Sequence, residues 1–458
     1  MDGTLITVAL PSAGRALGMN THFQGLVLAA YFIVYALMLW PGGMLVDSAG
    51  SRRVALSGLF VFGAGACAGA LAGDPGVLLL SRIVQGAGAG LVSPAALAGA
   101  VSGFPAERRG TALGIWGAGS GMANLIGPLL GGGLTVLIGW RAVWWALVPF
   151  AVLSATAVYL LMPAGVHRQR PRTADVRLRS RVLATATLVA TLTFAVMIGA
   201  FFLAEQYLQV AAGYSALGAA AALIVVALLV ALAAPFSGRL ADARGERLPV
   251  VLGFGCAGLA LLVLGIPGVP LDGLVSLPLL LPVGFGLGLL FAPTSRAALN
   301  SIPVTAHGRV SAVLSAGRLI GAAIGAGLAG LALDGAVTAT NVHHALLAAA
   351  ALCLLMGIPA AAGLSARVHI PELTAADYSQ EPGPEARAAG RGGIAAVVRA
   401  TGISESTVRR GLSDLESGEV LEPGRVPTDL WPAPRPGDAM RARLDAATDP
   451  ENRAGRRG

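Results

Sequence analysis

Four polar side chains within or beside long apolar segments are the best placed in this sequence to do chemistry. Arg82 stands several residues inside one apolar run, with Gln85 three residues later. Glu205 closes a second run, and Arg318 lies within a third. If these runs cross a bilayer, a charge inside them costs about 2.5–3.5 kcal/mol on insertion scales unless it faces the protein interior. We expect Arg82 and Arg318 to face that interior, and Arg318 to pair with a group across the predicted helix bundle. The alternative for Arg82 is a side chain that reaches the membrane surface.

A second set of charged residues recurs at predicted helix ends. The string Gly43-Met-Leu-Val-Asp47-Ser-Ala-Gly50-Ser-Arg52 is repeated as Gly238-Arg-Leu-Ala-Asp242-Ala-Arg-Gly245-Glu-Arg247, with aspartate, glycine and arginine in register. An aspartate where a helix leaves the membrane can accept hydrogen bonds from a neighbouring helix N-terminus, or pair with Arg52 and Arg53. Such a contact can hold one conformation and release in another. The alternative is a charge that only sets topology, but the second copy favours a conformational switch.

The composition indicates that these residues belong to a helical membrane protein. Of 458 residues, 55% are hydrophobic and 12% charged, whereas soluble domains carry about 25% charged residues. Mean hydropathy is +0.72. The apolar runs of about 20 residues suit helices that cross about 30 Å of hydrocarbon, and they lack the polar alternation of a β-barrel. The net charge of +8 comes from arginines in alternate loops, so topology explains it better than nucleic-acid binding.

The apolar runs predict eleven complete spans and one partial span. The segment Leu5–Pro11 is apolar but too short to cross a bilayer, so the first helix is predicted to be truncated. No cleavable signal peptide is expected before it. The complete spans are predicted at about 24–46, 54–72, 76–100, 108–135, 141–162, 182–204, 215–238, 248–268, 273–296, 308–333 and 342–364.

Loop charge predicts the orientation of these spans. Arginines cluster near residues 52–53, 108–109, 167–181, 239–247 and 296–309, and the intervening loops are not basic. The positive-inside rule places the basic loops in the cytoplasm, and both termini with them, in a bacterial inner membrane. Arg141 is the main exception. The three cysteines lie inside apolar runs and predict neither a disulfide nor a metal site: Cys67, Cys256 and Cys353.

A glycine ladder also repeats, and it defines two halves. Gly86, Gly88, Gly90 and Pro94 correspond to Gly284, Gly286, Gly288 and Pro293. We therefore predict an all-α membrane fold of two parallel six-helix bundles, residues 1–162 and 182–364, joined by a basic linker at 163–181. In such repeats the substrate site lies between the halves, near the bilayer midplane.

Four blocks of the sequence together resemble the major facilitator superfamily, and within it the drug:proton antiporters, over about residues 1–364. Asp2-Gly-Thr-Leu-Ile-Thr-Val-Ala-Leu-Pro11 is similar to the first-helix signature of fourteen-helix drug exporters. The repeated loop resembles the superfamily's loop between helices two and three, and Arg82-Ile-Val-Gln85-Gly86-Ala-Gly88 resembles its fourth-helix motif. The fourth block resembles the antiporter motif and comprises Gly117, Gly121, Gly127, Pro128, Gly131 and Gly132.

The resemblance implies roles for these residues. Arg82, with Gln85 as its neighbour, would take part in proton coupling, and Asp2 matches an intramembrane aspartate of the family. The small residues of the antiporter motif would let a partner helix approach closely, although generic glycine packing is the alternative. Because proton antiport needs a carboxylate that can be protonated in a low-dielectric cavity, Glu205 is a second candidate carrier, or else an exposed loop acid.

The sequence departs from the family pattern in ways that bear on activity. Asp2 is the second residue of this sequence, so we expect it to be poorly held in the bilayer. Ser48 and Leu147 stand where a basic residue and an asparagine are usual, and the linker is too short for two extra central helices. A twelve-helix plan is therefore implied.

Beyond Leu364 the sequence becomes polar and is predicted to be cytoplasmic. Residues 365–391 are predicted to be a linker, 392–425 a helix-turn-helix-like segment resembling part of an insertion-sequence transposase, and 426–458 a disordered tail. If the segment binds DNA, the contacts would come from Ser406, Thr407, Arg409 and Arg410. A transposon fragment fused in frame is the alternative, and we expect no nucleic-acid partner.

We expect a secondary transporter rather than an enzyme: a monomer that exports small hydrophobic, often cationic compounds by alternating access. It would use the proton gradient and no cofactor or metal. The alternatives are a membrane-anchored DNA-binding regulator, an importer of the same fold, or an inactive truncated transporter fused to a transposase fragment.

Overall fold

The computed structural model describes residues 2–102, 126–162, 180–271, 276–302, 307–334 and 336–364, all within one compact unit. The first half contains α1 (Asp2–Leu17), α2 (Thr21–Ala49), α3 (Ser51–Ala70), α4 (Pro75–Ser102), α5 (Ile126–Leu137) and α6 (Arg141–Leu161). The second contains α7 (Arg181–Gln206), α8 (Ala216–Arg244), α9 (Arg247–Leu264), α10 (Leu277–Leu289), α11 (Phe291–Asn300), α12 (His307–Ala332), α13 (Ala339–Ala351) and the short α14 (Ile358–Ala360). A π-helical turn, Tyr207–Ala211, extends α7, and a second, Leu352–Gly357, joins α13 to α14.

The helices confirm the prediction of an all-α membrane fold. Among the described residues, ten helical segments are long and apolar enough to cross a membrane, if α10 is counted with α11 and α13 with α14. They coincide with ten of the eleven complete spans predicted from the sequence. The remaining span, 108–135, is described only over its last part, which is α5. Helix α1 extends beyond the apolar segment Leu5–Pro11, through Pro11 to Leu17, so its 16 residues rise about 24 Å. The predicted tail segments and most of the predicted linker lie outside the described residues.

The glycine ladder on α4 brings three helices of the first half into close contact. A methyl group on Gly86 would lie 2.6 Å from the Tyr31 carbonyl oxygen of α2, and one on Gly88 would lie 2.5 Å from the Phe62 nitrogen of α3. Neither distance leaves room for a side chain, so successive rungs of the ladder seat α4 against two different neighbours.

The second half repeats this packing on α10. A methyl group on Gly284 would lie 2.7 Å from the Val226 carbonyl oxygen of α8, and one on Gly286 would lie 2.6 Å from the Gly253 carbonyl oxygen of α9. The repeat found in the sequence therefore corresponds to a repeated helix packing.

Two glycines shape the repeated loops. Gly50 ends α2 with φ +88° and Gly245 ends α8 with φ +80°, and each donates its backbone N–H to the carbonyl four residues earlier. A side chain at either position would be strained, because L-residues rarely adopt a positive φ. The next helix begins one residue after Gly50 and two residues after Gly245, so the two loops turn in a similar way.

The two halves meet toward one end of the bundle, which we call the closed end. Asn20 Nδ2 donates to Asp334 Oδ1 at 3.3 Å, and Thr21 Oγ1 donates to the Leu333 carbonyl at 2.7 Å. A methyl group on Gly25 would lie 3.0 Å from the Gly330 Cα atom, so α2 and α12 pack backbone to backbone there. The repeated loops lie at the opposite end of α2 and α8.

Candidate functional site

The first buried charge is Arg82 on α4. Its side chain is 0% exposed, its Nη1 donates to Gln85 Oε1 at 2.8 Å, and its guanidinium carbon lies 4.1 Å from the centre of the Tyr31 ring. Arg82 and Gln85 are three residues apart and so face the same side of the helix. The guanidinium faces the interior of the first half rather than the membrane surface. The sequence did not identify Tyr31, which supplies an aromatic face for the cation.

The second buried charge is Glu205, near the end of α7. Glu205 is 1% exposed and accepts a hydrogen bond from Gln209 Nε2 at 2.8 Å. Gln209 Nε2 also donates to the Val8 carbonyl oxygen of α1 at 2.9 Å. Among the described residues Glu205 Oε1 has no hydrogen-bond partner. The placement excludes an exposed loop acid and puts a carboxyl group where α7 of one half meets α1 of the other.

A pair of glutamines extends this contact across the halves. Gln206 Nε2 donates to Gln24 Oε1 at 2.5 Å, and Gln24 Nε2 donates to the Met19 carbonyl at 3.2 Å. Both side chains are buried. These glutamines and Gln209 were not identified from the sequence. The available signal was three polar residues closing an otherwise apolar helix at Glu205, Gln206 and Gln209, in the segment where the chain forms a π-turn. Such turns occur frequently at functional sites.

The third charge, Arg318 of α12, is mostly buried within the second half. Its Nη2 donates to Ser295 Oγ of α11 at 2.7 Å, and its guanidinium carbon lies 5.9 Å from the Phe194 ring centre. The expected pairing across the bundle is not seen among the described residues, because both contacts lie in the same half as Arg318.

The two copies of the repeated loop differ in their ion pairs. In the first copy Asp47 is exposed and has no ion-pair partner among the described residues, and Arg52 instead packs its guanidinium carbon 4.5 Å from the Tyr159 ring centre of α6. In the second copy Arg296 of α11 pairs with Asp242, and its Nε lies 3.2 Å from Glu246 Oε1.

The remaining predicted residues are only partly described. Gly127 and Pro128 are buried in α5. A methyl group on Gly131 would lie 2.5 Å from the Leu5 carbonyl oxygen of α1, and one on Gly132 would lie 2.8 Å from the Leu217 Cα atom of α8. Gly43 and Arg53 lie at the surface near the first loop. The backbone of Asp2 begins α1, but its side chain lies outside the described part of the chain, as do Gly117, Gly121, Ser406, Thr407, Arg409 and Arg410.

Relatives of the chain include two proteins named for resistance and one named as a transporter. It is 29% identical over 407 residues to the puromycin resistance protein pur8 of Streptomyces alboniger, a match covering 75% of this chain and 81% of the relative. It is 28% identical over 405 residues to the multidrug resistance protein Stp of Mycobacterium tuberculosis, covering 75% of each chain. An uncharacterized MFS-type transporter of the same organism, Rv1250, is 36% identical over 167 residues, or 36% of this chain, and that match spans only 29% of Rv1250.

A solved structure and a family model agree on the fold. The structure is that of a bacterial homologue of the human lysosomal transporter Spinster, in an inward-facing and occupied conformation. It aligns with a TM-score of 0.67 at 17% identity, over 79% of this chain and 92% of that one. The model of the Major Facilitator Superfamily matches residues 1–326, well over half of the 458 residues. The chain therefore belongs to the Major Facilitator Superfamily.

Proposed function

We propose that the protein is a proton-coupled exporter of small lipophilic compounds, and that Glu205 carries the proton. The observation that carries the proposal is the burial of this carboxyl group at the junction of α7 with α1. Buried ionised carboxylates are usually held by a cation or by several donors. Glu205 receives one described donor, the neutral amide of Gln209, and no described cation forms an ion pair with it.

The hydrogen bonds of Gln209 connect the carboxyl group of Glu205 to the contact between the two halves. Gln209 uses one amide nitrogen to bind both Glu205 and the Val8 carbonyl, so it connects the carboxyl group to the other half. Burying a neutral carboxylic acid costs much less than burying a carboxylate. Closure around Glu205 would then take a proton with it. The carboxyl group would release this proton to the cytoplasmic side when the compound binds, and opening of the closed end would expose the group for a new proton.

Within the described part of the chain the two halves are joined toward one end, and this conformation suits the entry of a compound from the opposite end before export. If the basic loops are cytoplasmic, as the charge distribution predicts, the closed end faces outward and the two halves are joined on that side. The solved relative of the same fold is inward-facing, and the relatives pur8 and Stp are named for puromycin and multidrug resistance. These points support export by alternating access.

The test is transport in inside-out vesicles that contain the purified full chain, with an imposed pH gradient and lipophilic probes of either charge. We expect uphill uptake that a protonophore abolishes, and at least a tenfold loss of gradient-driven uptake for Glu205→Gln.

Glu246→Gln is the matched control, because Glu246 is also a buried glutamate of the second half but pairs with Arg296 away from the closed end. It should keep the coupling. Uptake that ignores the protonophore, or gradient-driven uptake that survives in Glu205→Gln, would contradict the proposal.

A further inference from the structure

Arg318 is the charge nearest the middle of its membrane span. It lies 11 residues from the start of α12, which is about 16 Å along a helix that must cross about 30 Å of hydrocarbon. Its side chain lines a small recess between α7, α11 and α12. Two hydroxyl groups, those of Thr193 and Thr294, and the rings of Phe194 and Phe291 share that recess.

Two of the three helices that line the recess also contact the first half. Helix α7 contacts α1, and α12 contacts α2, so both helices stand at the boundary between the halves. Transporters built from such repeats bind substrate at this boundary, near the midplane.

Close packing fixes the position of Arg318. A methyl group on Gly317 would lie 2.7 Å from Thr187 Cγ2, and methyl groups on Gly321 or Gly325 would overlap the carbonyl oxygens of Thr191 and Ala195. Three glycines thus hold α12 against the backbone of α7. Ser295 then receives one of the five N–H donors of the guanidinium.

The charge of Arg318 is not balanced by the described part of the protein. No described carboxylate forms an ion pair with it, Glu246 is engaged with Arg296, and Glu205 with Gln209. A cation in a low-dielectric site is stabilised most by an anion with which it forms charge-assisted hydrogen bonds. The guanidinium fork suits the planar oxygens of a carboxylate, or those of a sulfonate or phosphate.

We propose that Arg318 binds the acidic group of the transported compound, so that the exporter accepts lipophilic anions. The aromatic rings beside Arg318 would hold the apolar body of the same molecule. The proposal rests on the proposed export function and narrows its substrate class to compounds of the opposite charge to that expected from the family resemblance.

The test compares two probes with the same pyrene body, a butanesulfonate and a butyltrimethylammonium, neither of which changes charge with pH. Binding to the purified full chain is followed by pyrene fluorescence, and transport is followed in the inside-out vesicles. We expect the sulfonate to bind and move in preference to the ammonium probe. Arg318→Gln should weaken sulfonate binding at least tenfold without changing ammonium binding, and Arg318→Lys should restore part of it.

Ser295→Ala separates binding from structure, because it removes the hydrogen bond that ties α12 to α11 but keeps the guanidinium. It should weaken sulfonate binding less than Arg318→Gln does. Equal losses for both probes in Arg318→Gln, or a wild-type preference for the ammonium probe, would overturn the assignment. If the sulfonate binds through Arg318 but neither probe is driven by the gradient, the proposed export function fails while the anion site stands.

Discussion

Each half of the protein buries a charged side chain beside a glutamine of the same helix, but the two pairs are connected differently. In the first half, Arg82 contacts Gln85 and Tyr31, which belong to the same half. In the second, Glu205 is bound by Gln209, which also donates to Val8 of the other half. If the halves move relative to each other, as proposed, the contacts of Arg82 with Gln85 and Tyr31 can persist, whereas the bond from Gln209 to Val8 must break. A charge that exchanges with solvent during transport belongs at such a moving boundary.

The largest effect should come from removing the enclosed cation. Arg82→Leu leaves Gln85 Oε1 buried without its donor, which costs about 1–3 kcal/mol, and leaves the Tyr31 face without its cation. We expect at least a tenfold loss of gradient-driven transport for every probe, together with a lower Tm of the purified protein.

Testing several probes distinguishes the two arginines. Arg82→Leu should reduce the transport of every probe, whereas Arg318→Gln should reduce the transport of acidic probes alone. If Arg82→Leu transports at the wild-type rate in vesicles that contain equal amounts of protein, the Arg82–Gln85 pair has only a structural role.

Glycine packing should respond equally in the two halves. Gly88→Ala and Gly286→Ala each force a methyl group to within about 2.5–2.7 Å of a neighbouring backbone, and overpacking of this kind costs about 1–3 kcal/mol. We expect both variants to lower Tm by similar amounts. Gly255→Ala is the control, because a methyl group there meets no atom within 4 Å. A drop confined to one half would break the correspondence between the two ladders.

Much of this backbone could be predicted from the sequence, because long apolar runs and close glycine packing are local patterns. The spans, the ladders and the loop glycines are all properties of contiguous segments. The partners of the charges were less accessible. Tyr31 for Arg82 and Val8 for Gln209 come from other helices, and Arg318 pairs with Ser295 rather than across the bundle. Which polar groups meet depends on helix rotation and relative height, which an apolar run does not specify.

A several-fold effect is expected at the boundary of the halves. Gln209→Leu removes the bond to Val8 while leaving the carboxyl group of Glu205 in place. We expect the closed end to open more often. A single cysteine at position 22, beside Gly330, in a chain whose native cysteines have been replaced, should then react faster with a membrane-impermeant maleimide.

Gln85→Leu provides the contrast, because the bond of Gln85 lies within one half. It should change transport but not the rate of labelling. Faster labelling in both variants, or in neither, would remove the distinction between the Arg82–Gln85 pair, which lies within one half, and the Glu205–Gln209 pair at the boundary of the halves.

The smallest effect should separate the two loops, whose glycines share one geometry but whose aspartates do not share a partner. Arg296 binds Asp242 and Glu246. When the two glycine ladders are aligned, the position of Arg296 corresponds to Leu97 or Ala98 of α4, and neither of these residues can form an ion pair. The Asp242 side chain is 73% exposed, and exposed ion pairs contribute about 1 kcal/mol or less. Asp242→Asn should therefore lower Tm slightly in low salt and not in 1 M salt, where the Debye length falls to about 3 Å.

Asp47→Asn should leave Tm unchanged at both salt concentrations, because in this conformation Asp47 has no described partner to lose. If Asp47→Asn nevertheless slows transport, Asp47 must gain a partner in the other conformation, which makes the first loop a switch and the second a fixed clamp. Equal salt-dependent losses of Tm would instead mean that both loops are clamped in this conformation.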